Sequence, residues 1–189
     1  MRNLYPAHGG ADPGKVGVND AKEKDINLTI AKKVVKLLEK KKVDVVMTRT
    51  DDSMLAKSDA QNKKAEDMKA RVEIIDRELP ELVVSIHQNS YHEENVSGAQ
   101  VFYYSHSEKG KEAAEIMQHA LLLFDEDNHR QAKANDTYYL LKRTESPTII
   151  VECGFLSNQE EAALLVTEDY QNQVAQAICN GVTAYLGVD

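Results

Sequence analysis

Two stretches of this chain are apolar on successive residues, and each runs straight into a side chain that carries chemistry. Leu82-Val83-Val84-Ser85-Ile86 leads to His87, and Thr148-Ile149-Ile150-Val151 leads to Glu152. β-Branched runs that do not alternate with polar residues belong to strands covered on both faces. Longer segments of helical period lie between such strands. Ile26, Ile30, Val34 and Leu37 or Leu38 recur after Glu23, with lysines on the other face. Ala65, Met68, Val72 and Ile75 recur across 62–78, where Pro80 marks the end. Ala113, Met117, Ala120, Leu121 and Phe124 share one side of 109–124, and Tyr170, Val174, Ile178, Val182 and Tyr185 form a stripe in a last helix that Thr167 caps. Strands in alternation with helices predict a layered α/β domain with a largely parallel sheet.

The remaining stretches fill in this frame. Residues 4–7 form a strand that runs into His8-Gly9-Gly10, and Asp12-Pro13-Gly14 is a turn. Residues 43–47 and 99–104 are further strands, and 138–141 is a short strand or turn. Segments 50–59, 91–97 and 125–137 are polar loops, the first and last of them mobile rims of a cleft. Ser157 and Glu160 have capping-box spacing and start a short helix. No repeat, low-complexity linker or domain boundary interrupts the 189 residues, a length that fits one domain.

The net charge of −8 argues against nucleic acid or an anionic membrane as the main partner. Two cysteines, Cys153 and Cys179, are too few for a disulfide framework and form no zinc knuckle. No signal peptide and no membrane-spanning run is evident. The chain opens directly on a strand, as expected of a catalytic domain cut from a longer exported protein.

In open α/β sheets, ligands sit at the carboxyl ends of strands. Three predicted strands end on a metal-capable or acid–base group, at His8, His87 and Glu152, and Glu23 starts the first helix near the same side. Two histidines and a carboxylate make a catalytic zinc set with one position open. A second carboxylate off the metal can act as general base and acid, and Glu23 and Glu152 can divide these two roles either way. Taken singly, each residue has a plainer explanation. A histidine after a strand is usually a hydrogen-bonded loop residue, a first-turn glutamate is favoured by the helix dipole, and Gly9, Gly10, Asp12 and Gly14 suit turns. Glu152 is hardest to explain away, because a carboxylate after four apolar strand residues needs a partner or a function. His92, His106, His119 and His129 sit in polar or solvent-facing places, and Cys153 has no histidine partner, so it reads as a small buried residue.

These residues also carry a resemblance. His8-Gly9-Gly10 with Asp12-Pro13-Gly14, then Glu23-Lys24-Asp25-Ile26-Asn27-Leu28, resembles the start of the zinc-dependent N-acetylmuramoyl-L-alanine amidases of the amidase-3 family. Val46-Met47-Thr48-Arg49, Ser85-Ile86-His87-Gln88-Asn89, Gly98 through Tyr104, and Val151-Glu152-Cys153-Gly154-Phe155-Leu156-Ser157-Asn158 match later blocks in the family's order. Lys64-Ala65-Glu66-Asp67-Met68 with Arg71, and the Gly98 block, look most like the germination-type amidases of spore formers, which act on spore cortex peptidoglycan. The resemblance covers nearly the whole chain, implying a single catalytic domain over 1–189. It implies His8, Glu23 and His87 as zinc ligands, Glu152 as the catalytic carboxylate, and a twisted, mostly parallel sheet of about six strands with helices on both faces. Three departures stand out: Ala7 where glycine is usual, Ile75-Asp76 where Ala-Asn is common, and Cys153 where an aliphatic residue is usual.

The implied reaction is hydrolysis of the amide between N-acetylmuramic acid and L-alanine in peptidoglycan, with zinc as cofactor and Asn89 as a contact to substrate or to a ligand. The competing readings are a vegetative wall autolysin of the same family, a zinc peptidase, and a non-catalytic wall-binding module. Against the last stand four intact site residues and the lack of repeats. Some relatives insert a metal-blocking helix after the strand that ends in His87. The 91–97 loop is too short for one, which leaves the site open and points to control by a partner, such as a regulatory lipoprotein, or by weak metal retention. The resemblance places the protein outside the cell, in the wall or the forespore intermembrane space.

Overall fold

The computed structural model describes residues 2–57 and 59–188. In chain order its elements are β1 (Arg2–Pro6), α1 (Glu23–Lys40), β2 (Val45–Met47), α2 (Lys63–Glu78), β3 (Leu82–Asn89), β4 (Gln100–Tyr103), α3 (Glu108–Leu122), β5 (Lys133–Ala134), α4 (Tyr139–Arg143), β6 (Thr148–Phe155), α5 (Gln159–Leu165) and α6 (Glu168–Leu186). The six strands form one sheet in the order β2-β1-β3-β6-β4-β5. All neighbours are parallel except β4, which runs antiparallel to β6. This is the expected α/β architecture, a mostly parallel sheet of six strands with helices on both faces.

The continuous apolar runs account for the middle of the sheet. β3 and β6 are neighbours, and every residue of β6 is buried. On one face, Leu4, Val84, Ile86, Val101, Ile149 and Val151 pack with the inner sides of α1, α3 and α6. Each such side chain removed from water contributes about 1.5–3 kcal/mol. The opposite face is covered more thinly. There Tyr5, Ala7 and Val83 meet Ile75 of α2 and Leu140 of α4, while Phe102 and Ile150 meet Leu141. His87 and Glu152 follow the two-residue period of Val83 and Ile150 onto this thinner face.

Local chemistry fixes the helix ends. Asn62, Ser107 and Thr167 accept from backbone amides at the starts of α2, α3 and α6. Leu79 closes α2 in a left-handed conformation just before Pro80. Four expectations need correction. Asn158, not Ser157, caps α5, accepting from the Glu161 amide, and the Ser157 hydroxyl instead accepts from the Tyr91 amide. Residues 138–141 are neither strand nor turn but enter α4: the Asn135 carboxamide accepts from the amides of Thr137 and Tyr138, and this turn leads into the helix. Segment 125–137 is tied down at several points and contributes β5. Asn128 donates to the Ala99 carbonyl, Arg130 donates to the Ser97 carbonyl, and Lys133 and Ala134 pair with Phe102 and Tyr103. The α2 stripe is interrupted: Ala65 is exposed, while Asp67 and Arg71 are buried beside Ile75.

Candidate metal centre

The chain leaves β1 for β2 on one side and returns across β1 to β3 on the other. Such a reversal opens a crevice at the carboxyl ends of the two flanking strands. His8 follows β1, and His87 stands near the end of β3. Glu152, in β6, is level with His87 across the ladder. Because β1, β3 and β6 are adjacent and parallel, all three groups reach the same edge of the sheet.

The exit from β1 is a sharp bend. His8 has φ +61°, followed by Gly9 at +146° and Gly10 at +55°. Left-handed backbone is uncommon for a residue with a side chain and needs support from its surroundings. Two arginines supply it. Arg49 donates to the carbonyls of Pro6 (3.0 Å), Ala7 (3.1 Å) and Lys24 (2.7 Å). Arg71, at 0% exposure, donates to the carbonyls of Pro6 (3.2 Å) and His8 (3.0 Å) and pairs with Asp67 at 2.5 Å. Three successive carbonyls at the end of β1 are thus held by two guanidinium groups.

Glu23 opens α1 and is 2% exposed. Its Oε2 lies 3.2 Å from His8 Nε2 and accepts from the Lys15 amide at 2.7 Å. Its Oε1 lies 3.0 Å from His87 Nδ1 and accepts from the Gln88 amide at 3.2 Å. The two imidazoles stand edge to face, 5.4 Å between centroids. Burial works against the Glu23 carboxylate, but the bonds to His8 and His87 outweigh it and hold its pKa far below the usual range. Burial likewise opposes a charge on His8, and the bonds to Glu23 and Asp12 overcome it, so its pKa is raised.

Asp12, expected only in a turn, supports His8 from behind, with Oδ2 2.8 Å from His8 Nδ1. Its spacing of four residues from His8 was the available signal. Gly14, at φ +69°, lies so close to the group that a Cβ there would fall 2.5 Å from Glu23 Oε2 and 2.7 Å from the His8 ring.

One donor atom from each of His8, Glu23 and His87 can be chosen so that all lie within 4.8 Å of one another. Among the described residues this is the one such group. Tetrahedral zinc with bonds of about 2.0 Å implies ligand atoms about 3.3 Å apart. Here His8 Nε2 and His87 Nδ1 lie 3.2 and 3.0 Å from the two separate oxygens of Glu23, and one donor from each residue falls within 4.8 Å of the others, close enough for one ion to reach all three. A carboxylate behind a ligating histidine is also a usual second-layer partner. The residues therefore fit a three-ligand zinc site.

Glu152 is 4% exposed. Its Oε1 accepts from the Tyr138 hydroxyl at 3.2 Å, while its buried Oε2 has no partner. Burial is the main cause that lifts its pKa, to about 7, against the attraction of His87 and the Tyr138 hydrogen bond and with help from Glu23. Tyr138 was not anticipated, because nothing in its local sequence links it to Glu152. Beside these groups lies a cavity of about 70 Å³, lined by His8, His87, Tyr138 and the apolar side chains of Ala7, Met68 and Leu140.

Among the described residues, the Asn89 side chain makes no hydrogen bond to His8, Glu23, His87 or Glu152. It is half-buried, its Oδ1 accepts from its neighbour Ser90 (2.8 Å), and a register shift separates it from His87. Cys153 is fully buried, and burial holds its thiol pKa high, as suits a packing residue. His92, His106, His119 and His129 are exposed.

Residues 3–184 match the profile of the family described as N-acetylmuramoyl-L-alanine amidase. The germination-specific N-acetylmuramoyl-L-alanine amidase of Bacillus subtilis (strain 168) is 38% identical over 96% of this chain and 78% of its own length. The structure of the CwlD amidase from Clostridioides difficile, in complex with the GerS lipoprotein, superimposes with a TM-score of 0.95 at 40% identity, covering 100% of this chain and 98% of that one. The catalytic domain of CwlV, an N-acetylmuramoyl-L-alanine amidase from Bacillus (Paenibacillus) polymyxa var. colistinus, gives a TM-score of 0.88 at 32% identity, with the same coverage.

Proposed function

From the premise that this chain belongs to the N-acetylmuramoyl-L-alanine amidase family, we propose that His8, Glu23 and His87 hold zinc and that Glu152 carries the proton of the reaction. Family membership supplies the reaction itself, hydrolysis of the amide that joins N-acetylmuramic acid to L-alanine in peptidoglycan. The observation that carries these roles is the Glu23 carboxylate bridging His8 Nε2 and His87 Nδ1 at 3.2 and 3.0 Å, with Glu152 level with His87 on the next strand.

Zinc, when bound, supplies a water acidified to a pKa of about 7 and a Lewis acid for the amide carbonyl. Asp12 keeps His8 turned so that Nε2 faces the site. Arg49 and Arg71 hold the backbone that presents it. Glu152 takes the proton of the attacking water on its unpartnered Oε2 and returns it to the nitrogen of the departing L-alanine. Its burial makes the carboxyl basic enough for both transfers. The thin cover on this face leaves the His8 and His87 side chains 16% and 19% exposed, so a glycan strand can approach. The substrate contact that the resemblance implies for Asn89 falls to its side-chain NH2, since its Oδ1 accepts from the Ser90 amide. Residues 1–189 act as one catalytic domain.

The likeness to the germination-specific and CwlD amidases favours spore cortex as the substrate, and a location outside the cytoplasmic membrane, in the wall or the forespore intermembrane space. A regulatory lipoprotein partner is proposed by analogy with the CwlD complex. No described helix is long and apolar enough to cross a membrane.

Mass spectrometry of defined muropeptides digested with zinc-loaded protein tests the reading, with spore cortex and vegetative wall compared side by side. New amino-terminal alanine from cortex material supports it. Cleavage only between amino acids of the stem would make the protein a peptidase instead.

A further inference from the structure

We propose that Tyr138 is a positioning residue for the general base, fixing Glu152 through one carboxylate oxygen so that the other is left free for the water proton. This rests on Glu152 carrying the proton, and it adds a residue that the site's donor set does not contain.

A carboxylate within a buried strand has two chemically equivalent oxygens. Rotation about its last side-chain bond exchanges them, because that torsion is broad and two-fold. In this structure they are not equivalent. Tyr138 Oη donates to Oε1 at 3.2 Å, and Oε2 is buried with no partner. An orphaned buried carboxylate oxygen is costly, and here it points to an atom with work to do. One oxygen has been assigned to a donor, and the other is reserved.

Tyr138 is itself held from two directions. Its backbone amide donates to Asn135 Oδ1 at 3.1 Å, in the turn that opens α4. Its ring packs edge-on against Phe102 of β4, 5.7 Å between centroids at 67°. Phe102 lies opposite Ile150 in the ladder, two residues before Glu152 on the same face. The phenol therefore reaches Glu152 from a ring fixed to the same strands that carry the carboxylate. Burial and the neighbouring Glu152 carboxylate raise its pKa, so the phenol keeps its proton and remains a donor at neutral pH. Tyr138 also lines the cavity that His8 and His87 line, so its ring stands on the same side of the sheet as those two imidazoles.

A hydrogen bond to a charged group that fixes a base in place should show in kcat, not in substrate binding. Tyr138→Phe keeps the ring on Phe102 and removes only the donor. With zinc-loaded protein and a soluble muropeptide, kcat should fall roughly 10- to 100-fold, with KM and zinc stoichiometry unchanged. In a Glu152→Ala background the same substitution should have no further effect, because Tyr138 would have nothing left to position. Asn135→Ala, which loosens the turn, should lower kcat in the same direction by less. An unchanged kcat in Tyr138→Phe, when Glu152→Ala alone abolishes turnover, would overturn this inference and leave the role of Glu152 standing. So would an equal loss from Tyr138→Phe with and without Glu152, which would mean that the two act separately. Full activity in Glu152→Ala itself would remove the base, and this inference with it.

Discussion

Arg71, fully enclosed by protein, donates from Nη2 to the carbonyl oxygen of His8 at 3.0 Å. It bonds to none of the His8, Glu23 and His87 side chains, yet it holds the left-handed bend from which the first histidine is presented. Arg71→Met should weaken zinc binding although all three ligands remain. It should also destabilise the fold by about 3–5 kcal/mol, because it strands Asp67 as an unpaired buried charge. Pairing it with Asp67→Leu should recover much of the stability but little of the zinc affinity. Denaturant unfolding and zinc titration on the three variants separate the two effects.

Without metal, stability should fall as pH rises from about 4.5 through 7. Folding raises the His8 pKa above its ordinary 6.5, so the stability that His8 contributes is complete below that value and is lost as pH climbs through the raised one. Glu152 acts with the same sign. Its folded pKa of about 7 lies above the ordinary 4.5, so stability declines between those values. Glu23 has the opposite sign, and its contribution is already complete above pH 4.5. Zinc requires deprotonated ligands and should reverse the trend, with affinity rising over the same range. Melting temperatures in chelator and in zinc, at half-unit pH steps, give the two curves. A metal-free protein that gains stability toward pH 7 would contradict the His8 and Glu152 environments described here.

Ala7 fills a position where the resemblance leads one to expect glycine, and its surroundings accommodate the methyl. Its φ is not positive, and its methyl is buried with Tyr5, Ile75 and Leu140. Ala7→Gly should cost about 1–2 kcal/mol, from one lost methyl and a more flexible unfolded chain. Zinc content should not change. Thermal unfolding beside metal analysis checks both.

Much of this was legible in the sequence. The apolar runs into His87 and Glu152 made those residues visible, because a strand covered on both faces has a simple signature and its end is a site by topology. His8 was visible for the same reason, though its left-handed backbone was not. Glu23 was visible as a carboxylate at a helix start near the strand ends, and the resemblance made it a ligand, but its bridge to both histidines depends on α1 folding back against β3. The role of Tyr138 escaped notice, and Arg71 was read only as part of a resembling block, for a related reason: each acts through a contact with a distant segment. Tyr138–Leu141 has the aromatic and aliphatic content of a strand, and only the Asn135 turn makes it helical. β5 is two residues long and has no pattern of its own; the backbone of β4 creates it by pairing.

The central claim is that His8, Glu23 and His87 suffice to hold zinc while Glu152, off the metal, moves the proton. Glu152→Gln tests it most directly, with zinc content and muropeptide turnover measured on the same sample. The account predicts one zinc per chain and a loss of turnover of at least roughly 10²-fold, as expected when a general base is removed. Wild-type turnover in the zinc-loaded variant, or loss of the metal along with the carboxylate, would contradict it.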